Sequence, residues 1–102
     1  VPPLPIETVI KEHLEDILKR ELPPDEKAIQ LCLYCMKAQI FTDGNKRASV
    51  IFANHYLISQ GGGMLIIPEK EVPEFKRLLV AFYEDRSDDI LAFMKESCVK
   101  TF

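Results

Sequence analysis

At 102 residues, 47% hydrophobic and 28% charged, the chain amounts to one domain at most, long enough for a single modest core. A formal net charge of −3 argues against nucleic acid, no apolar run is long enough to span a bilayer, and nothing at the start resembles a signal peptide. Three cysteines, Cys32, Cys35 and Cys98, make an odd count that speaks against a disulfide framework and fits a reducing, cytoplasmic setting.

The chain opens at Val1 without a methionine, which points to a fragment lacking N-terminal elements or to a processed product. Val1-Pro2-Pro3-Leu4-Pro5 reads as stiff and extended, because proline fixes its own φ and biases the preceding residue towards extended geometry. Ile6, Val9, Ile10, Leu14, Ile17 and Leu18 then recur at helical spacing and predict a first helix that ends before Pro23-Pro24. Asp25 is the expected N-cap of a second helix whose stripe is Ala28, Leu31, Cys32, Cys35 and Met36. The next position of that stripe is Gln39, which places a polar residue on an inward face at the very end of the helix.

After an Asp43-Gly44 turn, a third helix is predicted from Asn45 to Ser59, stopping at Gly61-Gly62-Gly63. Val50, Ile51, Phe52, Ala53, Tyr56, Leu57 and Ile58 wrap most of its circumference, the pattern of a buried central helix. Met64 to Pro68 is too short for a helix and reads as an extended segment on the core. Val72, Phe75, Leu78, Leu79 and Phe82 mark a fourth helix with Pro73 in its first turn. Ser87 is expected to cap a fifth helix, with Asp88 and Asp89 in the first turn and Ile90, Leu91, Met94 and Cys98 as its buried stripe. With no repeat, low-complexity tract or second domain, the fold class is all-α: residues 1–102 form a single bundle around one hydrophobic central helix.

The run Gln39-Ile40-Phe41-Thr42-Asp43-Gly44-Asn45-Lys46-Arg47 carries the chemistry. Asp43 is a natural magnesium ligand beside phosphates. Gly44 allows close backbone approach, and the amides of Gly44, Asn45 and Lys46 fall at a helix N-terminus, where unpaired donors and the positive end of the dipole favour an anion. Arg47 adds a permanently charged fork and Lys46 a second cation, while Phe41 is expected to anchor the turn between the helices. The same residues would also serve an ordinary helix–turn–helix corner, since Asp-Gly and Gly-Asn are common turn pairs. The run lacks a base: the Gln39 amide cannot take up a proton at neutral pH.

This segment resembles the signature of the Fic/Doc family, His-x-Phe-x-Asp/Glu-Gly-Asn-Gly/Lys-Arg, at six of its seven defined positions: Phe41, Asp43, Gly44, Asn45, Lys46 and Arg47. The Pro-rich opening resembles the end of the family's β-hairpin flap, and a weaker likeness runs on through Ile67-Pro68 and the last two helices. The resemblance implies a helical bundle that uses a nucleotide, usually ATP with Mg2+, to move AMP onto a hydroxyl of a target protein; the Doc branch, a toxin of bacterial toxin–antitoxin pairs, moves a phosphate instead. It assigns magnesium to Asp43 and the phosphates to Gly44, Asn45, Lys46 and Arg47. A target protein would lie along the flap by strand addition, and an inhibitory or antitoxin protein is a further implied partner. Two departures stand out. Gln39 occupies the place of the family's catalytic histidine, and Val50 stands where many AMP-transferring members have a second arginine. No Ser-x-x-x-Glu inhibitory helix is evident in the chain.

Other candidates read more simply. Cys32-x-x-Cys35 lies on the apolar stripe of the second helix and fits core packing better than zinc or redox chemistry, because Cys98, His13 and His55 lack ligand spacing. His13 reads as a solvated surface residue; His55 is two turns beyond Arg47, a long reach for a substitute base. Glu69-Lys70-Glu71 and Glu84-Asp85-Arg86 read as solvated connections. Three readings of function follow: a magnesium-nucleotide-binding domain with weak or lost transfer, a non-catalytic protein-interaction domain, and a transferase that draws its base from elsewhere.

Overall fold

The computed structural model describes residues 5–38 and 44–100. Among them are five α-helices and one two-stranded sheet, in the all-α class expected: α1 Pro5–Lys19, α2 Pro24–Ala38, α3 Asn45–Ser59, β1 Met64–Leu65, α4 Val72–Tyr83, α5 Asp89–Ser97 and β2 Val99–Lys100. Helix α1 starts at Pro5, the last residue of the run expected to be extended; a proline at the first helical position loses no hydrogen bond and has its φ already set. The remainder of that run, and with it the flap remnant, lies outside the described residues. Ile17 is buried in α1, Ile10 and Leu14 are half-buried, and Val9 and Leu18 are exposed, because α1 packs chiefly on α2 and only one edge of its apolar stripe finds cover.

Helix α2 begins at Pro24, two residues earlier than an Asp25 cap implies. Asp25 therefore sits within the first turn, where its carboxylate accepts the Glu26 N–H at 2.9 Å and favours the positive end of the dipole. Ala28, Ile29, Leu31, Cys32, Leu33, Cys35 and Met36 are all buried, so α2 is the central helix of the described bundle. That corrects the assignment of the central place to α3. In α3 only Ser49, Ala53 and Leu57 are buried, while Ile51 and Ile58 stay 53% and 54% exposed and Phe52 is exposed as well. The reason lies in cover rather than composition. Helix α3 packs mainly on α2 and β1, through a single ridge at i, i+4 and i+8 whose small residues Ser49 and Ala53 let the two helices approach closely. The Ser49 hydroxyl is buried there without a hydrogen-bond partner among the described residues.

Helix α3 closes in a Schellman motif. Gly61 adopts φ 67°, its N–H reaches the Ile58 carbonyl at 3.0 Å, and the Gly62 N–H reaches that of Leu57 at 3.1 Å. The segment beyond is extended, as expected, and β1 pairs antiparallel with β2, Met64 opposite Lys100 and Leu65 opposite Val99. Asn54 of α3 fastens β1 from the other side: its Nδ2 donates to the Leu65 carbonyl at 2.9 Å and its Oδ1 accepts the Leu65 N–H at 2.6 Å. A 3-10 turn, Glu69–Glu71, leads into α4 with Pro73 in the first turn. Helix α4 ends in a second Schellman motif with Asp85 at φ 57° in the glycine position, its carboxylate 2.5 Å from Lys37 Nζ. Asp85 thus ties α4 to the end of α2 and is more than a solvated connection. The Ser87 hydroxyl accepts the Asp89 N–H at 3.1 Å, so the cap acts across Asp88, which lies just ahead of α5 and outside its first turn. Among the described residues no helix is long and apolar enough to cross a membrane.

Candidate functional site at the start of α3

The described part of the motif is Gly44, Asn45, Lys46 and Arg47; Gln39, Phe41 and Asp43 lie outside the described residues. Gly44 is the residue before α3, in left-handed geometry at φ 58° and ψ 39°, and its carbonyl accepts the Ala48 N–H at 2.8 Å. Glycine is needed there for its dihedrals and not for lack of room, since a Cβ would meet nothing within 4 Å. Ala48 makes that first intrahelical bond, so the amides of Asn45, Lys46 and Arg47 precede it at the positive end of the helix dipole. Lys46 and Arg47 are exposed on either side of the same turn.

Asn45 does something the motif alone does not disclose. Its Nδ2 donates to the Met36 carbonyl at 3.1 Å, binding the first residue of α3 to the last turn of α2. Its side chain thus fastens the start of α3 to α2.

Gly44, Asn45, Lys46 and Arg47 come together as one wall of a hollow of about 560 Å³, which Met36 and Tyr83 also line. Tyr83, the last residue of α4, is half-buried, and burial followed by the nearby Cys32 thiol pushes its phenol above the ordinary tyrosine range. It therefore stays protonated at neutral pH and can donate a hydrogen bond. Tyr83 was not singled out in sequence; the available signal was its place four residues beyond Leu79, on the inner side of an amphipathic helix. The hollow thus pairs a cationic, amide-rich edge with an apolar wall. Such a surface suits a polyphosphate joined to a flat organic group.

The remaining candidates fall elsewhere. Val50 is half-buried against the core. His55 is exposed on the outer face of α3, eight residues beyond Arg47 or about 12 Å along the axis, and does not line the hollow. His13 meets the Tyr34 ring edge-on at 5.3 Å between centroids. Cys32 and Cys35 are buried, as expected from their stripe, and so is Cys98. Burial pushes the Cys32 thiol up to about 12, and Cys35 and Cys98 each up to about 11, which leaves all three protonated and poorly nucleophilic at neutral pH. Among the described residues no group of three or more His, Cys, Asp or Glu could hold a metal ion, and Asp43 is not among those residues.

Compared with known proteins, the model of the Fic/DOC family matches residues 1–57, a stretch that takes in α1, α2, the motif turn and most of α3. No curated protein and no solved structure is matched by the chain.

Proposed function

The chain belongs to the Fic/DOC family, and from that membership we propose that it binds a magnesium nucleotide, ATP being the first to test, in the hollow before α3. The observation that carries this reading is the convergence of Gly44, Asn45, Lys46 and Arg47 on one wall of that hollow. The helix-end amides and the Arg47 fork would take the phosphates, Lys46 would add a second charge, and Asp43 would hold the magnesium. Met36 and Tyr83 offer the apolar side that a nucleoside needs, and the Tyr83 phenol remains a donor at neutral pH. When bound, the metal neutralises phosphate charge and draws electrons from the phosphorus under attack.

What the family does with such a nucleotide is transfer of AMP or phosphate to a protein hydroxyl. In this chain the proton of that hydroxyl has no acceptor at position 39, because the amide of Gln39 orients a hydroxyl or a water without deprotonating it. A general base is worth about 10²–10⁴ in rate, roughly 3–5 kcal/mol of barrier, so transfer is slow or absent while nucleotide binding persists. A protein partner, whether target or antitoxin, is part of the same proposal, as is a cytoplasmic setting.

Calorimetric titration with ATP, with and without magnesium, tests the reading beside an Arg47→Ala control. Arg47 is exposed, so the variant keeps the fold. Magnesium-dependent binding that Arg47→Ala weakens tenfold or more supports the site, and Gln39→His should then raise transfer onto a protein. Absence of binding in the unaltered chain discards it in favour of a second reading, a non-catalytic protein-interaction domain. That reading has its own observation in the apolar strip of Ile51 and Ile58 left exposed along α3, and predicts partner binding that Arg47→Ala does not alter.

A further inference from the structure

Consecutive residues at the seam between α2 and α4 face opposite ways. Met36 and Tyr83 line the hollow before α3, whereas Lys37 and Phe82 line a different one, of about 450 Å³, walled by α1, α2 and the ends of α4 and α5. None of the described motif residues borders this second hollow. Its apolar lining includes Ile17, Leu33 and Phe82, and its polar residues include Arg20, Gln30, Tyr34 and Lys37. That is the composition of a small-molecule site between helices, in which an apolar body is seated by a few convergent polar groups, and its volume is in the usual range of about 300–1,000 Å³.

The charged side chains of its described lining are both cations. Arg20 donates to Asp16 at 2.8 Å and to the Gln30 side chain at 2.6 Å; Lys37 pairs with Asp85 at 2.5 Å and lies 5.4 Å from the centre of the Phe82 ring. Yet Asp16 and Asp85 do not line the hollow, and their side chains are 65% and 82% exposed. Two cations therefore border an apolar floor, and no carboxylate lines it among the described residues. Both are held in place from outside, which lowers the entropy lost when an anion arrives from within. A purely apolar ligand would make no use of these cations, and a polyphosphate would make none of the apolar lining around Phe82.

We propose that this second hollow binds a small amphipathic anion, with an alkyl or aryl body on Ile17, Leu33 and Phe82 and a single carboxylate between Arg20 and Lys37. The site does not depend on the nucleotide reading, and its test needs no nucleotide.

The test is a titration of the whole ¹⁵N-labelled chain, followed by backbone amide shifts, with three probes: octanoate, octan-1-ol and acetate. Octanoate should shift the amides around Ile17, Tyr34 and Phe82 saturably; octanol should bind more weakly at the same place, and acetate should leave it unmoved. Arg20→Gln and Lys37→Gln, both at exposed side chains that spare the core, should each weaken octanoate about three- to fivefold and leave octanol unchanged, as expected for a partly solvated charge contact. Equal affinity for octanoate and octanol overturns the proposal, as do shifts centred on Ile51 and Ile58. Binding of an acidic helical peptide with no response to octanoate overturns it in favour of a protein partner.

Discussion

The two ends of α3 use the same local devices to opposite effect. Each has a glycine in left-handed geometry, Gly44 before the helix and Gly61 after it. Each also has an asparagine reaching the backbone of a neighbouring element, Asn45 to Met36 and Asn54 to Leu65. At the far end Gly61 is as open as Gly44, but the residue after it, Gly62, is packed over. A Cβ on Gly62 would lie 2.6 Å from Leu57 Cδ1 and 3.2 Å from Pro24 Cβ, and Leu57 and Leu65 are buried. At the motif end Gly44, Lys46 and Arg47 are exposed, and a Cβ on Gly44 meets nothing within 4 Å. A helix end that is fastened yet left uncovered keeps its amide donors and dipole for a ligand, whereas a fastened and covered end serves only stability.

This contrast breaks first at the asparagines. Asn54→Ala would strip both hydrogen bonds from the Leu65 peptide, whose side chain is buried, and leave two polar groups poorly hydrated; a loss of about 2–4 kcal/mol is expected in urea denaturation. Asn45→Ala removes the bond to the Met36 carbonyl at a wetter position and should cost about 1–2 kcal/mol. Because that bond fastens the start of α3 to α2, the smaller stability loss should come with the larger drop in ATP affinity. Equal losses from the two substitutions would mean that the motif end is as closed as the far end.

Gly62→Ala sharpens the comparison on the packing side. Leu57 is fully buried and cannot swing its methyl out of the way without disturbing the core, so overpacking should cost about 1–3 kcal/mol and leave ATP titration unchanged. A neutral result would show that the seal between Gly62, Leu57 and Pro24 is loose.

How much of this was legible in sequence depends on whether a feature is local or needs cover from afar. The helices were legible because apolar residues recur at helical spacing and prolines and glycines mark the breaks: α3 and the Pro73 start of α4 stand where expected. The motif wall was legible because Gly44, Asn45, Lys46 and Arg47 are consecutive, and consecutive residues at a helix start must lie together. The central helix was not, because apolar residues around α3 state what could be buried while only neighbours decide what is; α2, rich in small Ala and Cys, takes that place. Strand β2 is two residues long and exists only because β1 lies opposite it. Tyr83 joins the site from a helix 36 residues beyond Arg47 (83 − 47), a proximity set by tertiary packing alone.

The finest discrimination comes from the paired substitutions Gly44→Ala and Gly61→Ala. Both residues have φ near +60°, where an L side chain costs about 1–2 kcal/mol, and at neither would the added methyl touch another atom within 4 Å. The two variants should therefore lose nearly the same stability, about 1 kcal/mol, and any difference between them cannot come from crowding in the free protein. Only Gly44 lines the hollow before α3, so only its methyl would stand where a phosphate has to approach the amides. ATP binding should then weaken in Gly44→Ala and stay unchanged in Gly61→Ala. Matched stability with matched ATP affinity would leave the motif glycine with no role beyond turning the chain, and would remove the main reason to treat one end of α3 differently from the other.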